Sequence, residues 1–202
     1  MHLAAQFFLI PALGCGLNAL GLLTQGKSNA LARQISRQRF VMDTLPESFC
    51  GLKILRLSNL HIDGLAEQIV ECIRPLDIDL CVLTGDYRFP VSGPCDGIYP
   101  AMKKMLEGLH PRLGTFGILG NHDASEEVAE LEQLGIKMLG NDAVEIQEGT
   151  ESLWLIGLAD PHYYGCDDLV GTLRSVPQLL PPLPYSIVQS VTVKPAGQNL
   201  MT

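Results

Sequence analysis

Residues 79–86 read DLCVLTGD, a nearly unbroken apolar run that ends on a glycine and a carboxylate. A strand covered on both faces reads this way, because both sets of alternate side chains are buried. Working outward, LKILRLS at 52–58 alternates like a strand, and TFGILG at 115–120 makes a third. Helical periodicity over 65–74 and 97–109 separates the three. Asp123 followed by Glu126 has the spacing of a capping box and opens a helix that stops at Gly135. Residues 142–147 and 152–158 read as a strand pair turning at Glu148-Gly149. Strands alternating with helices predict a layered α/β domain. Prolines 90, 94 and 100 with Gly93 and Gly97 make 88–100 a loop.

The bulk composition agrees with that fold class. The chain has 202 residues, enough for one α/β domain, with 47% hydrophobic and 18% charged residues. A formal net charge of -8 argues against non-specific nucleic-acid binding, which needs a basic footprint. The six cysteines show no CxxC spacing and no His at zinc-finger distance. They read as reduced, mostly buried thiols of a cytosol-like compartment.

Three regions follow from the pattern. Residues 1–44 hold an uncharged run at 3–23 and then Lys27, Arg33, Arg37 and Arg39, with no acid until Asp43. The run is close to the length of about 20 residues that a bilayer needs. One reading is a membrane anchor or interfacial helix followed by a basic, lipid-facing segment at 27–39 that stays cytoplasmic. The other is a buried N-terminal helix with a solvated basic helix behind it. Residues 45–176 form the α/β domain. Residues 177–202 are a Pro-rich tail, with prolines at 177, 181, 182, 184 and 195, and no element that closes the fold.

Three polar clusters stand where expected strands end: Ser58-Asn59-Leu60-His61, Gly85-Asp86-Tyr87 and Gly120-Asn121-His122-Asp123. Ligands bind in the crevice at the carboxyl ends of strands in open α/β sheets. Carboxylate, imidazole and amide donors gathered there suit a first-row divalent cation. The clusters resemble those of the calcineurin-like metallophosphoesterases, which read Asp-x-His, Gly-Asp and Gly-Asn-His-Asp/Glu on successive strands. GLKILRLSNLHID at 51–63 resembles the opening of that family's membrane-associated bacterial branch. The resemblance spans 45–176.

The resemblance implies an α/β sandwich of mixed sheets flanked by helices, and hydrolysis of a phosphate ester with two divalent ions (Mn, Fe, Zn or Mg). It implies that His61 is a ligand of the first metal, that Asp86 bridges both, and that Asn121 binds the second. By the same resemblance His122 would stabilise or protonate the leaving group, and the two metal ions would clamp the phosphate and lower the pKa of a bridging water. Asn59 stands where the family has the first-metal Asp, and an amide oxygen is a weaker ligand for a hard cation. Val191 falls at or near the family's single His, and no Gly-His-x-His is present. The expectation is a truncated or frame-altered product from about Gln178 onward, a fold incomplete at the C-terminus, and a metal site that does not fill both positions.

Asp160 and His162 follow an expected strand, where the family often has a substrate-side loop; a turn with aromatic packing accounts for them equally. His110 reads as a solvated loop residue and Trp154 as core. Three functions compete: a phosphoesterase acting near a membrane on a phosphate ester, lipid-linked in some relatives; a non-catalytic remnant; and a membrane-anchored interaction protein. In the first and third the chain is membrane-associated on the cytoplasmic face; without the anchor it is cytoplasmic.

Overall fold

The computed structural model describes residues 14, 16–18, 20–22, 33–42, 45–60, 66–88, 93, 95–177 and 189–195, with only the backbone at 33, 34 and 189–195. Contacts divide the chain into two units, 1–34 with 195–202, and 35–194. In the first unit, Gly14, 16–18 and Leu22 are helical, with Leu20 N–H bonded to the Gly16 carbonyl. The rest of the apolar run expected to be a helix lies outside the described residues. Among the described residues, no helix is long and apolar enough to cross a membrane.

The chain has the expected α/β fold class. The described strands are β1 (Arg33–Arg37), β2 (Lys53–Leu57), β3 (Leu80–Thr84), β4 (Thr115–Ile118), β5 (Lys137–Met138), β6 (Asp142–Glu148), β7 (Glu151–Gly157) and β8 (Gln189–Pro195). The helices are α1 (Ala66–Ile73), α2 (Ile98–Glu107), α3 (Val128–Gln133) and α4 (Leu169–Ser175). A six-stranded sheet runs in the order β1-β8-β2-β3-β4-β5, and β6-β7 make a separate hairpin. From β8 to β5 every neighbouring pair is parallel, and the hairpin is antiparallel.

The period-2 alternation of the strands sorts the core into two layers. Leu55, Leu57, Cys81 and Leu83 pack with Ile69, Val70 and Ile73 of α1 and Met102 and Met105 of α2. Ile54, Leu80 and Phe116 point the other way and pack with Ile146, Val144, Leu153 and Leu155 of the hairpin. The order is therefore helices, parallel sheet, hairpin. Tight burial on both sides explains why the sequence of β3 shows almost no polar residue.

Several expectations need correction. Arg33–Arg37 is a strand, where one reading had a solvated helix. The tail does contribute an element, because β8 pairs in parallel with β2, Val191 opposite Leu55. Asp123 does not cap a helix. The turn before α3 is a 3₁₀ helix at Ser125–Glu127, and Glu127 Oε1 accepts from the Ala124 amide at 3.1 Å. Of the five described cysteines, all free, only Cys81 is buried; Cys50 and Cys166 are exposed. Trp154 is half-buried on the hairpin face opposite Leu153 and Leu155. His110 is exposed, as expected.

Candidate functional site

Parallel pairing aligns the carboxyl ends of three adjacent strands. Leu57 of β2 stands opposite Leu83 of β3, and Thr84 of β3 opposite Ile118 of β4. Asn59, Asp86 and Asn121 follow those strand ends by two, two and three residues, so all three lie along one edge. Neighbouring strands are about 4.8 Å apart, which puts the Asp86 loop between the other two. The chain must turn abruptly here, and it does so with left-handed residues: Asn59 at φ 50°, Gly85 at 80° and Asp86 at 57°. Asn and Asp tolerate that region better than most side chains.

The turns after β3 and β4 touch backbone to backbone. A Cβ placed on Gly85 would come within 2.1 Å of the Gly120 nitrogen, and one on Gly120 within 2.4 Å of Asp86 Oδ1. Only glycine at both positions permits this approach. The contact brings His122 to Asp86, and the His122 amide donates to Asp86 Oδ1 at 3.1 Å. Among the described residues, no further hydrogen bond reaches the Asp86 carboxylate. Asn59, Asp86, Asn121 and His122 are each half-buried. His61 lies outside the described residues.

Asp123, the last residue of the third cluster, is a structural anchor. Its carboxylate accepts from the amides of Gly120 at 2.8 Å, Asp86 at 2.7 Å and Tyr87 at 2.8 Å. Burial raises its pKa, and the three amides oppose that shift only in part. Arg88 and Glu127, which the sequence reading passed over, lie beneath it. Arg88 is 5% exposed and Glu127 0%. Arg88 Nε donates to the His122 carbonyl at 2.8 Å and stands 3.0 Å from Glu127 Oε1, while Nη1 donates to the Gly93 carbonyl at 3.0 Å. Nothing in the local sequence marks the pair, since Arg88 sits in a loop and Glu127 among several surface acids.

A cavity of about 850 Å³ adjoins the β4 end of this edge. Leu119, Val128, Met138 and Leu139 line one part of it, and the acids Asp123, Glu126, Glu132, Asp142 and Asp160 with Tyr164 line another. Tyr164 Oη reaches the Asn121 carbonyl at 3.5 Å. The Asp160 carboxylate holds its own turn, accepting from the amides of Tyr163 at 2.6 Å and Tyr164 at 2.7 Å. The Tyr164 amide foremost, then those of Tyr163 and His162, keep Asp160 below the usual carboxylate range against a smaller opposing effect of burial. His162 is exposed on that turn. Asn141, also missed, fastens the loop: its Nδ2 donates to the Cys166 carbonyl and its Oδ1 accepts from the Ala159 and Asp168 amides.

Among the described residues, no three or more His, Cys, Asp and Glu side chains form a group that could hold a metal ion. The described edge offers a hard cation one carboxylate, Asp86, and two amide oxygens, Asn59 and Asn121. Carboxylate and amide oxygens of this kind suit a hard divalent cation.

The chain is similar to a UDP-2,3-diacylglucosamine pyrophosphatase of Chlamydia trachomatis, 32% identical over 121 residues, which is 55% of this chain and 35% of that protein. It is 29% identical over 135 residues to a transmembrane protein with a metallophosphoesterase domain from Danio rerio, covering 59% of this chain and 29% of that protein. An uncharacterized metallophosphoesterase of Bacillus subtilis is 30% identical over 121 residues, 54% of this chain and 43% of its own. The chain thus spans between 29% and 43% of the length of these curated relatives. No family model matches it. The likeness to phosphoester and pyrophosphate hydrolases therefore covers a little over half of the chain.

Proposed function

We propose that this chain carries a metal-dependent phosphoesterase centre whose first metal position is weakened by Asn59. The observation that supports the reading best is the row of Asn59, Asp86 and Asn121–His122 along one sheet edge, with His122 bonded to Asp86. Asp86 and Asn121 would hold a divalent ion, with Asn59 and, from the sequence, His61 beside them. When bound, such an ion polarises the phosphoryl group and lowers the pKa of a water. His122 donates a proton to the leaving oxygen, its peptide held by the Asp86 carboxylate. The cavity at the β4 end of the edge takes the organic group of the ester against Leu119, Val128, Met138 and Leu139. Asp160 and Tyr164 shape the mouth of that cavity on the substrate side.

The substrate class in this proposal is a phosphate ester or pyrophosphate with an apolar group, lipid-linked as in the Chlamydia relative's name. The apolar run at 3–23 and the basic stretch at 27–39 would keep the chain at a membrane surface on its cytoplasmic face. One observation favours a second reading, a binding module without turnover: the described edge offers one carboxylate where a two-ion centre needs more.

The test is manganese titration followed by hydrolysis of a chromogenic phosphodiester, comparing the natural chain with Asp86→Ala and His122→Ala. Manganese binding should be lost in Asp86→Ala and kept in His122→Ala, with weak turnover abolished in both. Manganese binding that ignores Asp86→Ala would sink the metal-site reading. Binding through Asp86 without any turnover would leave the binding module.

A further inference from the structure

The Arg88–Glu127 pair poses an energetic question. Removing two charges from water costs several kcal/mol per ion, and apolar residues of similar volume often serve stability as well or better. The pair also carries an unmet need, since among the described residues the buried Glu127 Oε2 has no hydrogen-bond partner. The buried charges are therefore costly in themselves, and the main-chain groups they hold point to a role at His122. Arg88 Nε holds the His122 carbonyl at 2.8 Å, while Asp86 Oδ1 holds the His122 amide at 3.1 Å. Both polar groups of the His122 main chain are thus gripped from the loop after β3. A side chain leaves its backbone in a direction fixed by that backbone, so clamping the peptide aims the imidazole. Glu127 completes the grip from the other side. Its Oε1 stands 3.0 Å from Arg88 Nε and accepts from the Ala124 amide, two residues beyond His122. The guanidinium fork also reaches Gly93, a third segment, which a lysine could not do in the same geometry.

We propose that Arg88 and Glu127 are positioning residues that aim His122 at the reacting phosphoester. The inference rests on the phosphoesterase reading for what His122 does, though the clamp itself is independent of it. Removing the pair should free the His122 carbonyl while Asp86 still holds its amide, and so loosen the aim of the imidazole.

The experiment replaces both charges by apolar residues, Arg88→Met with Glu127→Leu, and separately makes Arg88→Lys. Each variant is followed by thermal melting, by manganese affinity, and by the imidazole resonances of His122 assigned against His122→Ala. Turnover of the chromogenic phosphodiester is split into kcat and KM. In the double variant manganese affinity should stay near that of the natural chain, while the melting temperature falls because the His122 and Gly93 carbonyls and the Ala124 amide lose their partners. The His122 resonances should shift and broaden, and kcat should fall about tenfold with KM little changed. Arg88→Lys should recover part of both losses. Unchanged His122 resonances in a folded double variant would overturn the proposal, whatever the turnover. Perturbed resonances, even where turnover is too low to measure, support the clamp. Manganese binding that survives Asp86→Ala would instead remove the phosphoesterase reading and leave the clamp standing. Should the double variant not fold, Arg88→Lys alone decides by the same resonances.

Discussion

On the proposed metal site, Asn59 would set the affinity for the ion, and Glu127 sets a pH dependence of stability. Asn59 presents an amide where a carboxylate would offer charge and a second oxygen. Converting it to Asp should tighten manganese binding by about tenfold, or roughly 1.4 kcal/mol, since affinity for a hard cation follows ligand charge. Titration followed by electron paramagnetic resonance would read this directly. Equal affinity in Asn59→Asp would mean that position 59 does not face the ion.

Glu127 titrates against its burial. Burial raises its pKa above the ordinary 4.5, and the Ala124 amide and Arg88 offset only part of that. The native chain therefore binds this proton more readily than the unfolded chain. The resulting stability is fully present below about 4.5 and is lost as pH rises through the folded value. Urea unfolding from pH 4 upward should show this decline, and Glu127→Gln should flatten it. An identical pH profile in the variant would show that Glu127 titrates normally.

At the scale of elements, the decisive contact is that between the turns after β3 and β4. Gly85 approaches the Gly120 nitrogen so closely that a methyl group cannot be accommodated without moving backbone, and its φ of 80° strains any other residue as well. Gly85→Ala should cost roughly 3 kcal/mol or more, near the top of the range for single substitutions. The loss should appear as a lower urea midpoint together with weaker manganese binding, because the same shift moves Asp86 away from His122. A stable variant with normal metal affinity would contradict the geometry. The elements themselves were plain in the sequence where periodicity was strong: β2, β3, β4, α1, α2 and the hairpin all fall within two residues or so of their expected bounds. The short elements were not. Two-residue β5 carries no period to read, and Asp168, whose carboxylate caps α4 by accepting from Gly171, sits in a polar run that also suits a loop.

For the whole molecule, the apolar run at 3–23 and the basic stretch behind it make a testable claim apart from the site. The full chain should bind vesicles containing anionic lipid, and the electrostatic share should fade in about 0.5 M salt, where screening lengths drop to a few ångströms. Flotation would measure both. Complete recovery in the soluble fraction at low salt would rule out anchoring.

What the sequence alone determined was the alternation of strands and helices and the three polar clusters that close successive strands. Both are local, written in spacing and in residue type. What only the tertiary structure decided was how those clusters are held. Asp123 looked like a helix cap from its spacing to Glu126, yet its carboxylate gathers amides from two different turns. Arg88 and Glu127 looked like a loop residue and a surface acid, yet they meet in the interior beneath His122. A hydrogen bond across 34 residues leaves no periodic trace in a chain, because it depends on the register of parallel strands that long-range pairing alone establishes.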